Sequence, residues 1–156
     1  MKKLFEYNWQ VRDEWFHWCN QLPLEELLKA RVGGPGSILY TLFHIVDVEY
    51  SWLRGIIGKE DIEFLYSEYN SLEMVRALSE TCRNEILDYL RVIIPNKDNK
   101  PIRVSWDQEN YTKDEILHHI IAHEIHHIGQ LSVWARELNL KPITANFIGR
   151  SIQPRF

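Results

Sequence analysis

Glycine and proline cut this chain into a few long pieces, and that spacing limits what it can fold into. The run Gly33-Gly34-Pro35-Gly36 is the strongest break, since it joins residues free to adopt positive φ to one that cannot continue a helix. Pro23, Pro95 and Pro142 mark further stops. The first piece, about Leu4 to Gln21, reads as a helix, and "LEELLKA" after it as a short helical segment. Ser37 stands where an N-cap belongs. Behind it "ILYTLFHIVDVEYSWLRGII" runs helically to Gly58, apolar on nearly all sides, as a buried central helix would be. Ser71 with Met74 opens "LEMVRALSETCRNEILDYLRVII", which stops at Pro95. Thr112, followed by Asp114 and Glu115, opens the last long helix, which runs to about Asn139. Residues 95–111 lack helical periodicity, and "IRVSW" within them predicts a strand or an extended arm over the helices. The sum is an all-α chain, a four-helix bundle with a short extended segment before its last helix. The tail, 143–156, carries no pattern that places it.

A length of 156 residues predicts one domain, 1–156, with a sizeable core. The net charge of −4 and a pI near 6.0 argue against a nucleic-acid partner. Charges interrupt every apolar stretch before 18 residues, so no membrane span is expected, and no apolar stretch follows the N-terminal lysines as a signal peptide requires. Cys19 and Cys82 are too few for a disulfide framework and have no CxxC spacing. A reducing, cytoplasmic location is expected, with both thiols inert in the core. Trp9, Trp15 and Trp18 are expected to pack the bundle.

Five of the seven histidines fall within "HHIIAHEIHH", residues 118–127. On a helix, residues i and i+4 lie one above the other. His119, His123 and His127 therefore form a stripe, with Gln130 close to it. The apolar arc comes from Ile116, Leu117, Ile120, Leu131, Trp134 and Leu138. His123 and His127 edge that arc, His118 points roughly opposite, and His119 and His126 sit on the flanks. The pair 123/127 has the geometry to bind one metal from a single helix face. A third ligand must come from elsewhere, and His44, mid-helix among apolar neighbours, is the candidate. An unpaired imidazole there costs about 1–3 kcal/mol, which a shared metal would relieve; a hydrogen bond to a carbonyl or to Asp47 would relieve it too. Asp47 and Glu49 are candidates for orienting a ligand ring or for solvated or interhelical roles.

The same letters fit HExxH, with Glu124 as a general base. The rest of that machinery is missing. Gly129 lies one place early for a metzincin, no third histidine follows, and Glu137, the last acid, is still on the same helix.

"SILYTLFHIVDVEYSWL" (37–53) resembles the second helix of the DinB-like family, where a histidine precedes an acidic residue and a Trp-Leu. "HHIIAHEIHHIGQL" (118–131) resembles that family's last helix, a histidine, three residues, then His-x-Gly-Gln. The resemblance implies an up-down-down-up bundle holding a divalent metal, zinc or nickel foremost, on His44, His123 and His127. Gln130 matches the family glutamine, read as a packing or supporting residue. Ile128 departs from the arginine of many members. Relatives in the wider superfamily include bacillithiol- and mycothiol-dependent S-transferases and a glutathione-dependent isomerase. The resemblance therefore implies a small-molecule substrate and a metal-dependent enzyme such as a low-molecular-weight-thiol S-transferase or a hydrolase. A low-molecular-weight thiol, such as bacillithiol, is the leading candidate ligand, and the family analogy suggests a homodimer. The alternatives are a non-catalytic metal-binding stress-response module and a bundle without metal. Residues 95–111, with Trp106 and Tyr111, are the expected cover of the pocket.

Overall fold

The computed structural model describes residues 1–156 and contains five helices and no strand. They are α1 (Lys2–Cys19), the short α2 (Leu24–Leu28), α3 (Ile38–Ile56), α4 (Leu72–Ile93) and α5 (Lys113–Glu137). The caps fall where the sequence puts them. The Ser37 hydroxyl accepts the Tyr40 N–H and the Ser71 hydroxyl accepts the Met74 N–H. Thr112 and Glu115 form a reciprocal capping box, which satisfies two backbone donors otherwise left open at the start of α5.

Side-chain pairings give the directions of the helices. Tyr50 meets Glu85 and Arg54 meets Tyr89, so α3 and α4 run parallel. Asp13 meets Arg83 and Asn20 meets Arg76, so α1 and α4 run antiparallel. Asn8 reaches Ile121 and Arg12 reaches Glu124, so α1 and α5 run parallel. The result is the up-down-down-up bundle. A parallel α3–α4 pair needs a long crossover connection that returns the length of α3. Residues 57–71 make it, through a 3₁₀ turn at Tyr66–Glu68, with Phe64 packed near Tyr50 and Tyr66 near Tyr40.

The segment before α5 is an extended arm rather than a strand. A single bridge, Ile102 to Tyr111, closes it into a loop. Val104 is buried at the foot of that loop, against Gly55 of α3. A Cβ at Gly55 would come within 2.7 Å of Val104 Cγ1, so the glycine is what lets the arm lie down on the helix.

Trp9 and Trp15 are fully enclosed and Trp18 nearly so, as packing residues. Both cysteines are unpaired and buried, and burial pushes each thiol up to about 12, which leaves them unreactive at neutral pH. The tail lies back along α1: Trp18 donates to the Lys141 carbonyl, Arg150 pairs with Glu14, Arg155 with Glu6, and the Phe156 ring rests near Phe5 and Trp9. No helix is long and apolar enough to cross a membrane.

Candidate metal centre

His44 sits on α3, and His123 and His127 lie one turn apart on the antiparallel α5. The crossing brings three imidazoles to one point. His123 Nε2 stands 3.0 Å from His44 Nε2 and 3.1 Å from His127 Nε2. All three ligand atoms lie within 4.8 Å of one another. His127 is buried, while His44 and His123 are half-buried, so His44 opens toward the surface more than its apolar neighbours in sequence suggest.

Hydrogen bonding alone does not account for this cluster. Gln130 Oε1 lies 2.7 Å from His127 Nδ1, and the Gln130 amide nitrogen lies 2.9 Å from His126 Nε2. An amide oxygen only accepts, so the His127 proton sits on Nδ1 and its Nε2 presents a lone pair. His123 Nε2 carries at most one hydrogen and faces two other ring nitrogens. One close N···N contact therefore stays without a proton to share. Three lone pairs converging on a cation remove the conflict. Ligands about 2.0–2.1 Å from a tetrahedral zinc stand about 3.3 Å apart, close to the two separations that His123 makes, 3.0 and 3.1 Å. The residues fit a divalent ion.

Electrostatics agree with the geometry. Burial, reinforced by the neighbouring His127, pushes His44 down to about 4. Burial and the facing histidines push His123 down to about 3. Burial also lowers His127, partly offset by its hydrogen bond to Gln130. At neutral pH all three rings are uncharged, the form that ligates.

The support behind His127 reaches the glycine-rich loop. Gly34, at φ +58, lies so close to Gln130 that a Cβ there would stand 2.6 Å from Gln130 Oε1. Gln130 is thus held between Gly34 and His127, and fixes the ring's tautomer and orientation.

The remaining histidines separate as the helix phase requires. His118 is exposed, its Nδ1 2.8 Å from the Asp114 carbonyl. His126 is exposed on the flank and touches the site only through Gln130. His119 is exposed too, but its ring centroid lies 5.6 Å from those of both His123 and Trp52. Ile128 is buried in the core cluster.

Glu124 does not serve as an HExxH base. It is buried on the other side of α5, where both its oxygens accept from Arg12, at 2.8 and 2.6 Å. Arg12 also donates to Glu49, which accepts the Trp9 indole N–H as well, both at 2.8 Å. Glu49 thus has the interhelical role, away from His44. Burial raises the Glu124 carboxyl despite the opposing pull of Arg12. Asp47 takes no hydrogen bond from His44; it lines a small surface cavity with Trp52, Asp61 and Trp106.

A larger cavity, about 450 Å³, opens beside the histidine stripe between Trp52, Asp107, Tyr111, Glu115, Ile116 and His119. The arm of residues 95–111 supplies two of these residues, and Trp106 packs edge-on to Trp52 with centroids 5.3 Å apart. The arm lines this cavity, one turn along α5 from His123, and none of His44, His123 and His127 is among its walls, so the expected cover lies beside the trio rather than over it.

The up-down-down-up bundle and the three converging histidines agree with the resemblance read from the sequence. The DinB family model matches residues 1–152, and this chain belongs to that family. It is also 61% identical over 155 residues to the uncharacterized protein YizA of Bacillus subtilis (strain 168), covering 99% of this chain and 98% of YizA.

Proposed function

We propose that this protein is a metal-dependent enzyme in which His44, His123 and His127 hold a divalent cation, zinc or nickel, and a small molecule reacts beside it. The observation that carries the reading is the convergence of the His44, His123 and His127 Nε2 atoms, where the lone pair of His127 Nε2 and the single site on His123 Nε2 leave hydrogen bonding a poor account of the cluster. Three protein ligands leave positions open on the ion, the arrangement of catalytic rather than structural sites. When bound, the ion supplies Lewis acidity that makes a thiol or water beside it a better nucleophile at neutral pH.

The protein's part is to hold three neutral rings at fixed spacing. Gln130 locks the His127 tautomer, and the bundle crossing sets the distance of His44 from the pair. Three neutral ligands leave the ionic charge uncompensated, which favours an anionic nucleophile. A low-molecular-weight thiol such as bacillithiol is the substrate this favours, and S-transfer or hydrolysis is the reaction class. Unpaired, buried Cys19 and Cys82 suit the cytoplasm, where such thiols are kept reduced.

The test is to titrate cobalt-substituted protein with bacillithiol, glutathione and cysteine. The expected result is a thiolate-to-cobalt absorption band with at least one thiol, and transfer of that thiol to an added alkylating electrophile. No band and no transfer with any of them would leave a non-catalytic metal-binding module.

A further inference from the structure

We infer that the cavity beside the histidine stripe is a binding site for an organic cation, a small molecule with an apolar or aromatic body and an ammonium group. Its place in the reaction rests on the metal-centred function proposed above; its ligand preference does not. The volume of about 450 Å³ is that of a small-molecule site. Three separate parts of the chain build the walls: Trp52 from α3, Asp107 and Tyr111 from the arm, and Glu115, Ile116 and His119 from α5.

Ile116 is buried and gives an apolar floor. The Trp52 and Tyr111 rings meet at 83° with centroids 5.5 Å apart, a corner of one aromatic edge against another ring. Such a corner suits a flat or apolar body, and ring faces attract a cationic head.

The polar wall has one sign. Asp107 and Glu115 are both carboxylates, and no lysine or arginine lines the cavity. Neither acid is free to swing away. Asp107 accepts the Tyr111 hydroxyl at 2.7 Å and the Glu109 N–H at 3.0 Å, and Glu115 accepts the Thr112 N–H at 2.7 Å. The Tyr111 hydroxyl lowers the Asp107 carboxyl, and the Thr112 backbone N–H lowers that of Glu115, so both are ionised at neutral pH. An anionic ligand body meets two fixed negative charges there. An ammonium group meets charge of the opposite sign and aromatic surface together. His119 forms the wall shared with the histidine stripe, its ring 5.6 Å from that of His123, so a molecule in the cavity lies next to the metal centre rather than remote from it.

The experiment compares three probes of similar size, 2-phenylethylammonium, 2-phenylethanol and 3-phenylpropanoate, by ligand-observed NMR titration. It is run first on metal-stripped protein, where a carboxylate cannot bind through the ion, and then on zinc-loaded protein. On the stripped protein the ammonium should bind roughly tenfold tighter than the propanoate. The double variant Asp107→Asn/Glu115→Gln should erase that preference while keeping the cap, since glutamine also closes a capping box. Trp52→Ala should weaken all three probes. Equal affinities for ammonium and propanoate on the stripped protein would overturn the inference, as would an unchanged preference in the double variant. A separate zinc titration distinguishes the two readings. Ammonium preference without zinc binding leaves the cavity and removes the metal centre; zinc binding without ammonium preference does the reverse.

Discussion

Arg12 of α1 and Glu124 of α5 meet through two hydrogen bonds, 2.8 and 2.6 Å long, with neither side chain open to solvent. The remaining arm of the same guanidinium reaches Glu49 of α3 and, at 3.4 Å, the Ser79 hydroxyl of α4, so one cation ties together all four long helices. Breaking a buried pair from one side strands charge in the core. We predict that Arg12→Met lowers stability by about 3–5 kcal/mol, read from the midpoint of chemical denaturation. A loss below about 1 kcal/mol would mean the two acids find other partners.

Glu124→Gln separates the two readings of the HExxH letters. A general base would make this variant inactive at full metal content. Because Glu124 faces Arg12 instead, the folded variant should bind zinc with unchanged stoichiometry and keep whatever thiol reactivity the native protein shows. Loss of reactivity in a stable, zinc-replete variant would restore the protease-like role.

Gln130 holds His127 by a 2.7 Å contact. Removing such a supporting partner commonly weakens a metal site 10–100-fold. Gln130→Ala is expected to lower zinc affinity by about that factor in competition with a chelator, and Gly34→Ala to lower it as well, through strain at φ +58 and the clash with Gln130. Native affinity in Gln130→Ala would show that the amide only fills space.

Asp47 supplies a pH signature. Burial, with Asp61 and Glu63 nearby, pushes its carboxyl from 3.8 up to about 6. The folded state then binds this proton more tightly than the unfolded chain does. Stability contributed by protonated Asp47 is lost as pH rises from about 3.8 through 6 and stays lost above. Asp47→Asn should therefore stabilise the protein by about 1 kcal/mol at pH 8, a figure reduced for solvent screening, and by almost nothing near pH 3.5. An equal effect at both pH values would point to packing instead.

The four long helices and the histidine trio were legible because each rests on local pattern: caps at Ser37, Ser71 and Thr112, and an i,i+4 pair beside one buried-helix histidine. The buried charges were not. Arg12 falls on the stripe Phe5–Trp9–Phe16, Glu49 between Val46 and Leu53, and Glu124 between Ile120 and Ile128. A charge on each of three apolar stripes was a signal that they meet, but which charge meets which depends on how the helices cross. The tail was opaque for a related reason. It has no regular structure, and its place comes from single long-range partners such as Arg150 with Glu14. His118, by contrast, followed from helix phase alone: it is exposed, and His118→Ala should change neither metal content nor stability by more than about 0.5 kcal/mol.

The most direct test of the metal centre is elemental analysis of protein made without a histidine tag, loaded with zinc and desalted, beside His44→Ala, His123→Ala and His127→Ala made the same way. One metal per chain is expected in the native protein, with most of it lost in each of the three variants, His44→Ala included. Full metal content in a folded His44→Ala protein, or none in the native protein, would contradict a centre built on these three histidines.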